Sequence, residues 1–341
     1  MPEVSYYKEE MELFWHFIRK RHTITKLKEV EDLPPPWTDD PILANYKFTS
    51  IFRHFDRGTK YVTNHILQQD LSEEDMIFNV IAYRLFNKIE TSEEYGFLRA
   101  CSYDPERLDK LIHEYALTTR TVFTSAFIVS GYSMVELSGM DKISRIAIVL
   151  KWIRDQLLYN DYAIVDTIMQ DTTMEATYKA LIGLTGLGPF LAYQIAVDLS
   201  YWDKTKFGED DFVIMGPGAK RGIGWIFPEE EIQTYKSEFL CFWLRDRQYE
   251  FWNDYNINCN ELFDDCTLPY VSVMALENVC CEFQKYMKAY TMEGRPRNKY
   301  DSDEGHVRLV QYRQDEPWNT QPINIYDKPQ NLINYRRISG I

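Results

Sequence analysis

The 341-residue sequence is short of positive charge. Asp and Glu number 52 against 38 Lys and Arg, giving a formal net charge of -14. That deficit excludes a protein that coats nucleic acid through its whole surface, and leaves room only for a local basic groove. Candidate cationic clusters are Arg19-Lys20-Arg21, Arg53-Arg57-Lys60, Lys220-Arg221 and Arg295-Arg297-Lys299. Cysteine is also scarce. Six in so long a chain, with no C-x-x-C pair, argue against a disulfide scaffold and for buried free thiols. Cys259 and Cys266 followed by Cys280 and Cys281 do not complete a familiar iron–sulfur spacing. His16, His22, His54, His65, His113 and His306 show no metal-ligand spacing, so magnesium, if used, would come through carboxylates and phosphates. No basic start followed by an apolar run opens the chain, so no signal peptide is expected. The longest uncharged window, Ala180 to Val197, is broken by Gly183, Gly186, Gly188 and Pro189. It reads as two short buried helices joined by a turn rather than a membrane span. A cytoplasmic location is expected.

What is plentiful is aromatic side chain, with 24 Tyr and 19 Phe, enough to build a substantial core. Few segments alternate with period two, and most show helical spacing, which predicts a mainly α fold. Tyr6 to Arg21 carries Met11, Phe14, Trp15 and Ile18 on one face. Asp40-Pro41 predicts a helix start whose apolar face runs on through Phe48, Ile51, Phe52 and Phe55. Ser72 with Asp75 predicts another start. Further helices are expected over 92–100, 104–116, 121–130, 142–158, 173–183, 189–200, 227–246 and 268–289. Residues 1–290 read as one helical catalytic domain. Residues 291–341, with Pro296, Pro317, Pro322 and Pro329, read as a less regular extension that packs on it or stays partly mobile.

Chemistry concentrates in Leu184 to Gly218, LTGLGPFLAYQIAVDLSYWDKTKFGEDDFVIMGPG. Gly186 and Gly188 allow a tight turn and a close backbone approach, and Pro189 suits the first position of the next helix. Free N–H groups at that start suit a DNA phosphate. The segment resembles the helix-hairpin-helix of DNA repair glycosylases. In those enzymes a catalytic aspartate follows the hairpin at about the distance that separates Gly188 from Asp211, 23 positions here. Asp211 is therefore the candidate catalytic carboxylate, with Asp210 beside it. Lyase-type members carry a lysine just after the glycines. Phe190 stands there, which disfavours Schiff-base chemistry.

Four further stretches extend the resemblance. They are Asn45-Tyr46-Lys47 to Asp56-Arg57, Phe78-Asn79 to Glu90-Thr91, the stretch Met215-Gly216-Pro217-Gly218-Ala219-Lys220-Arg221-Gly222, which reads as a second glycine-rich turn, and Leu276-Glu277-Asn278 to Tyr286. Together they resemble the helical domain of bacteriophage 5-hydroxymethyluracil DNA kinases and of the related α-glutamyl/putrescinyl thymine pyrophosphorylase group, the amino acid:DNA transferases of thymidine hypermodification. The resemblance spans about residues 8–290. It implies double-stranded DNA carrying a modified thymine as one partner and a small amine (glycine, glutamate or putrescine) as the other, in the host cytoplasm. No G-x-x-x-x-G-K-[ST] occurs, so transfer of an amine with loss of pyrophosphate is preferred to the kinase reaction. Such a reaction needs a flipped base, a held pyrophosphate and a base for the amine. The assignments are Asp211 or Asp210 for proton transfer; Lys220, Arg221, Arg53 and Arg84 for pyrophosphate; Gly186, Gly188, Pro189 and Arg57 for the DNA backbone; and Asn79, Glu277 and Asn278, with Asn87, for the base or amine. The alternatives are a monofunctional glycosylase acting on a modified pyrimidine, a kinase of the same pathway, and a non-catalytic DNA-binding partner.

Overall fold

The computed structural model describes residues 2–124, 135–159, 163–258, 263 and 268–294. Thirteen α-helices lie within these residues, in chain order. They are α1 (Lys8–Thr25), α2 (Pro41–Asn45), α3 (Arg57–Tyr61), α4 (Glu73–Phe86), α5 (Ile89–Tyr95), α6 (Pro105–Ala116) and α7 (Lys142–Tyr159). After them come α8 (Ala163–Gln170), α9 (Met174–Ile182), α10 (Pro189–Leu199), α11 (Pro217–Ile226), α12 (Glu229–Asp254) and α13 (Val273–Tyr290). No strand is found among the described residues, so the mainly α expectation holds. No helix among them is long and apolar enough to cross a membrane. The expected extension from Arg295 on, the end of the 121–130 helix, Cys259, Cys266 and His306 lie outside the described residues.

The chain divides into two compact units. Among the described residues, one is built from the start of the chain to Asp56 and from Phe212 to Gly294; the other is Arg57–Asp211. In the first, α1 buries Met11, Phe14, Trp15, Phe17 and Ile18. Phe14 meets Phe283 of α13 edge-on at 5.2 Å between centroids, and Trp15 meets Trp252 of α12 at 6.0 Å. Such pairs add to the burial of the rings. Asp40 caps α2 by accepting from Ile42 N and Leu43 N, and also accepts from Tyr286 Oη at 2.8 Å, which ties α2 to α13.

The expected helix over Phe48 to Phe55 does not form. The chain runs extended from Tyr46 and makes only a short 3₁₀ turn at Arg53–Phe55. Tertiary bonds override the periodicity: Glu282 Oε2 accepts from Thr49 N at 3.0 Å, and Asn278 Nδ2 donates to the Ser50 carbonyl at 3.1 Å. The stretch after Met215 was expected as a glycine-rich turn and is instead helix α11. Its glycines serve close packing. A Cβ on Gly218 would fall 2.5 Å from Cys281 Sγ, and one on Gly222 only 2.0 Å from the Cys280 carbonyl oxygen. This Gly-x-x-x-Gly face lets the α11 and α13 backbones touch. Gly222→Ala is therefore expected to cost about 1–3 kcal/mol through forced separation of the two helices. A thermal-unfolding midpoint equal to that of the unsubstituted protein contradicts this.

In the second unit α4 is buried along nearly its whole length, from Asp75 to Phe86. Ser72 caps it, accepting from Asp75 N, as the sequence predicts. The Asp75 carboxylate does not close a capping box; it accepts from Ala100 N and Arg99. Arg84, near the C-terminal end of α4, forms a doubly hydrogen-bonded ion pair with Asp198 of α10, both side chains almost fully buried. Helices α9 and α10 are joined by the Gly183–Gly188 turn. Gly186 has φ +95, and a Cβ there would lie 2.6 Å from Val149 Cγ1 of α7, so this position is confined to glycine twice over.

Candidate functional site

The strongest chemical constellation lies in the first unit, on the face of α13 that meets the start of α11. Glu277 projects there and reaches solvent only in part. Its Oε1 accepts from Gly216 N at 3.3 Å, at the N-cap of α11. Burial raises the Glu277 carboxyl to about 7, and this outweighs the Gly216 amide and the Arg53 guanidinium, which pull it down. A carboxyl that half-ionises near neutrality can take or give a proton under working conditions.

Neighbouring residues set this geometry. Asn278 and Glu282, one and five positions on, hold the Thr49-Ser50 backbone against α13 and so bring Arg53 near Glu277. Lys285 pairs with Glu282 at 2.6 Å on the same helix. From α12, Glu238 Oε1 accepts from Met215 N at 3.2 Å and lies 3.8 Å from Lys220 Nζ. Lys220 and Arg221 are both exposed on the first turns of α11. Arg221 is close enough to Cys281 to oppose its desolvation, although burial still pushes that thiol up to about 11. Cys281 is therefore a neutral packing group under Gly218, not a nucleophile. Arg53, Lys220, Arg221, Glu277 and Asn278 thus gather around the α11 start, all in one unit.

A family model for the helical domain of 5-hmdU DNA kinase matches residues 8–295. The chain belongs to that family. The match takes in every element of the α11–α13 site. A curated relative, the 5-hmdU DNA kinase of Bacillus phage SP10, is 25% identical over 295 residues, covering 80% of this chain and 44% of the relative. The chain therefore spans less than half the length of the curated relative it matches. No solved structure matches. Within the family domain, the glycines of α11 and the Leu276-Glu277-Asn278 to Tyr286 stretch acquire a common reason: they form the two helices that bring Gly216 N and Glu277 together.

The remaining sequence candidates fall in the second unit. The α9–α10 hairpin forms, with Gly188 as N-cap and Pro189 at the first helical position, and its tip is exposed at Gly188, Pro189 and Phe190. Asp211 bends back to accept from Gly208 N at 2.7 Å, and Asp210 is buried. Arg57 pairs with Glu90 at 3.0 Å on the surface. Arg84 must be corrected: its charge is spent on Asp198 in the core, where no pyrophosphate can reach. Asn79 must be corrected too. It is 3% exposed, and its amide is used in full, donating to the Asp75 and Leu98 carbonyls and accepting from Leu98 N. Asn87 ends α4 at φ 50 and accepts from Arg84 Nη1, which is a structural duty. Asn278 likewise donates to the Thr49 hydroxyl and the Ser50 carbonyl rather than presenting its amide to a ligand. Glu238 was missed by the sequence reading. It lies in an ordinary charged stretch of α12, and only its contact with Met215 N singles it out. Among the described residues no group of three or more His, Cys, Asp or Glu side chains comes together as a metal site.

Proposed function

We propose that this chain modifies 5-hydroxymethyluracil-derived bases in phage DNA, and that it transfers an amine onto the pyrophosphorylated base with release of pyrophosphate. The observation that carries the reading is Glu277: a carboxyl raised to about 7, at a helix start flanked by Arg53 and Lys220. A primary ammonium gives its proton to Glu277, which is half ionised near neutrality and fully so above it. The free amine attacks the exocyclic methylene of the base. The carbon–oxygen bond to pyrophosphate breaks, and the electron pair leaves with the pyrophosphate. Lys220, Arg221 and Arg53 stabilise that departing charge, which favours the transition state over the bound substrate. The glycine hairpin of the second unit, exposed at Gly188 to Phe190, is assigned to the DNA backbone in the same reading.

A second reading follows from the SP10 relative, whose name assigns it kinase activity on 5-hmdU DNA. There Glu277 would take the proton of the hydroxymethyl group as it attacks a phosphoryl donor. The two separate by phosphate release. With pyrophosphorylated duplex, free pyrophosphate is expected only when an amine is added. Label moving from γ-labelled ATP onto hydroxymethyluracil duplex favours the kinase. An abasic site in either assay favours a glycosylase, in which Asp211 would stabilise an oxocarbenium ion.

A further inference from the structure

The bend that offers Gly216 N to Glu277 has a second anchor on α12. Glu238 Oε1 accepts from Met215 N, the amide immediately before, and stands 3.8 Å from Lys220 Nζ. Helix α12 is not continuous at this point. Lys236, two positions earlier, has φ 62 and ψ 156, a conformation that residues with a side chain rarely adopt. The break uncouples the helical phase of Glu229–Tyr235 from that of the segment carrying Ser237, Leu240 and Cys241, which are buried. The aim of Glu238 is thus set by the buried half of the helix and not by its exposed start.

Lys220 sits one helical turn after Gly216, with its N–H on the Gly216 carbonyl. Its backbone is therefore one turn from the amide that Glu277 accepts from, while its ammonium pairs with Glu238. Building on the reading of Glu277 as proton acceptor, we propose that Glu238 is a positioning residue of this site: it fixes the Met215–Gly216 bend and holds the Lys220 ammonium away from the Glu277 carboxyl. The charged groups around Glu277 fit this division. Arg53 approaches from the 49–55 segment and Glu282 from α13 itself, and these are the charges that act on Glu277. Arg221 acts on Cys281, as does Lys285. Lys220 is left to Glu238. Without that carboxylate Lys220 would swing to the next one available, and Glu277 would lose its affinity for a proton.

The test is the titration of Glu277 itself, followed by NMR of ¹³C-carboxyl-labelled glutamate in the whole chain and assigned with Glu277→Gln. Glu238→Gln keeps an acceptor for Met215 N but releases Lys220. The Glu277 midpoint is expected to fall by about one pH unit. Adding Lys220→Met to that variant is expected to return the midpoint to its original position. Lys220→Met alone is expected to leave it unmoved. An unchanged midpoint in Glu238→Gln overturns the proposal, as does a shift in Lys220→Met alone, which also serves should Glu238→Gln fail to fold. Because the readout needs no turnover, it stands apart from the release assays that test the reaction.

Discussion

Glu277→Gln is expected to lower the rate of base modification by about 10²–10⁴-fold, the contribution of one well-placed proton acceptor. The amide preserves size and still accepts from Gly216 N, so the α11 start should keep its shape. Only the proton transfer is removed. In the unsubstituted protein, activity limited by this step rises with pH through about 7, as Glu277 ionises. The same substitution should have the opposite effect on stability. The folded-state carboxyl is raised above its ordinary value, so the folded protein binds a proton that the unfolded chain releases between about 4.5 and about 7. Stability from this group is complete below that window and is lost as pH rises through it. At pH 8 the ionised carboxylate is a burden on the fold that the glutamine lacks, and Glu277→Gln should unfold at higher temperature there than the unsubstituted protein. At pH 4 the difference should vanish. A variant that loses rate while gaining stability at high pH marks a group kept for chemistry. A variant with full activity removes Glu277 from the mechanism.

The largest loss of stability is expected from Asp198→Ala. The Asp198 carboxylate and the Arg84 guanidinium are both buried in the second unit, joined by two hydrogen bonds. Arg84 also donates to Asn87 Oδ1 at 2.9 Å and lies over the Tyr83 ring. Removing one partner leaves a buried, uncompensated charge, at a cost of about 3–5 kcal/mol. Arg84→Met with Asp198→Leu removes both charges and should recover most of that loss, because the desolvation penalty goes with them. Urea unfolding of Asp198→Ala, of the double variant and of its two single parents, Arg84→Met and Asp198→Leu, measures this. Additive losses in the double variant would mean that the two side chains do not act as a pair.

How much of this could be read from residues alone differs from element to element. Helix starts carrying a local signal were legible: Asp40-Pro41, Ser72 and Gly188-Pro189 all open helices where predicted. The hairpin was legible because its glycine has a conformational reason that needs no partner, φ +95 at Gly186. Helix α11 was not. Its glycines read as turn residues, since their actual role, contact with Cys280 and Cys281 of α13, is supplied by residues about 60 positions away. The small-residue spacing Gly218-x-x-x-Gly222, with Ala219 between, was the available clue. Phe48 to Phe55 shows the converse error, where correct helical spacing was overruled by bonds from Asn278 and Glu282.

Among site residues, chemical type was legible and commitment was not. Arg84 and Asn79 carry the right groups for anion or base recognition, but partners remote in sequence consume them: Asp198 is 114 positions from Arg84, and Leu98 is 19 from Asn79. Glu277 was singled out by motif, but its proton affinity comes from burial, which no local pattern reports. Glu238 has no local signal at all.

The measurement that bears most directly on the account is mass spectrometry of nucleosides digested from duplex DNA after reaction with the protein. Pyrophosphorylated hydroxymethyluracil duplex, incubated with a panel containing glycine, glutamate and putrescine, should yield a thymidine derivative heavier by one bound amine, and Glu277→Gln should yield almost none. Unchanged pyrophosphorylated nucleoside with every amine, together with phosphorylated nucleoside when hydroxymethyluracil duplex and ATP are supplied instead, would contradict the account.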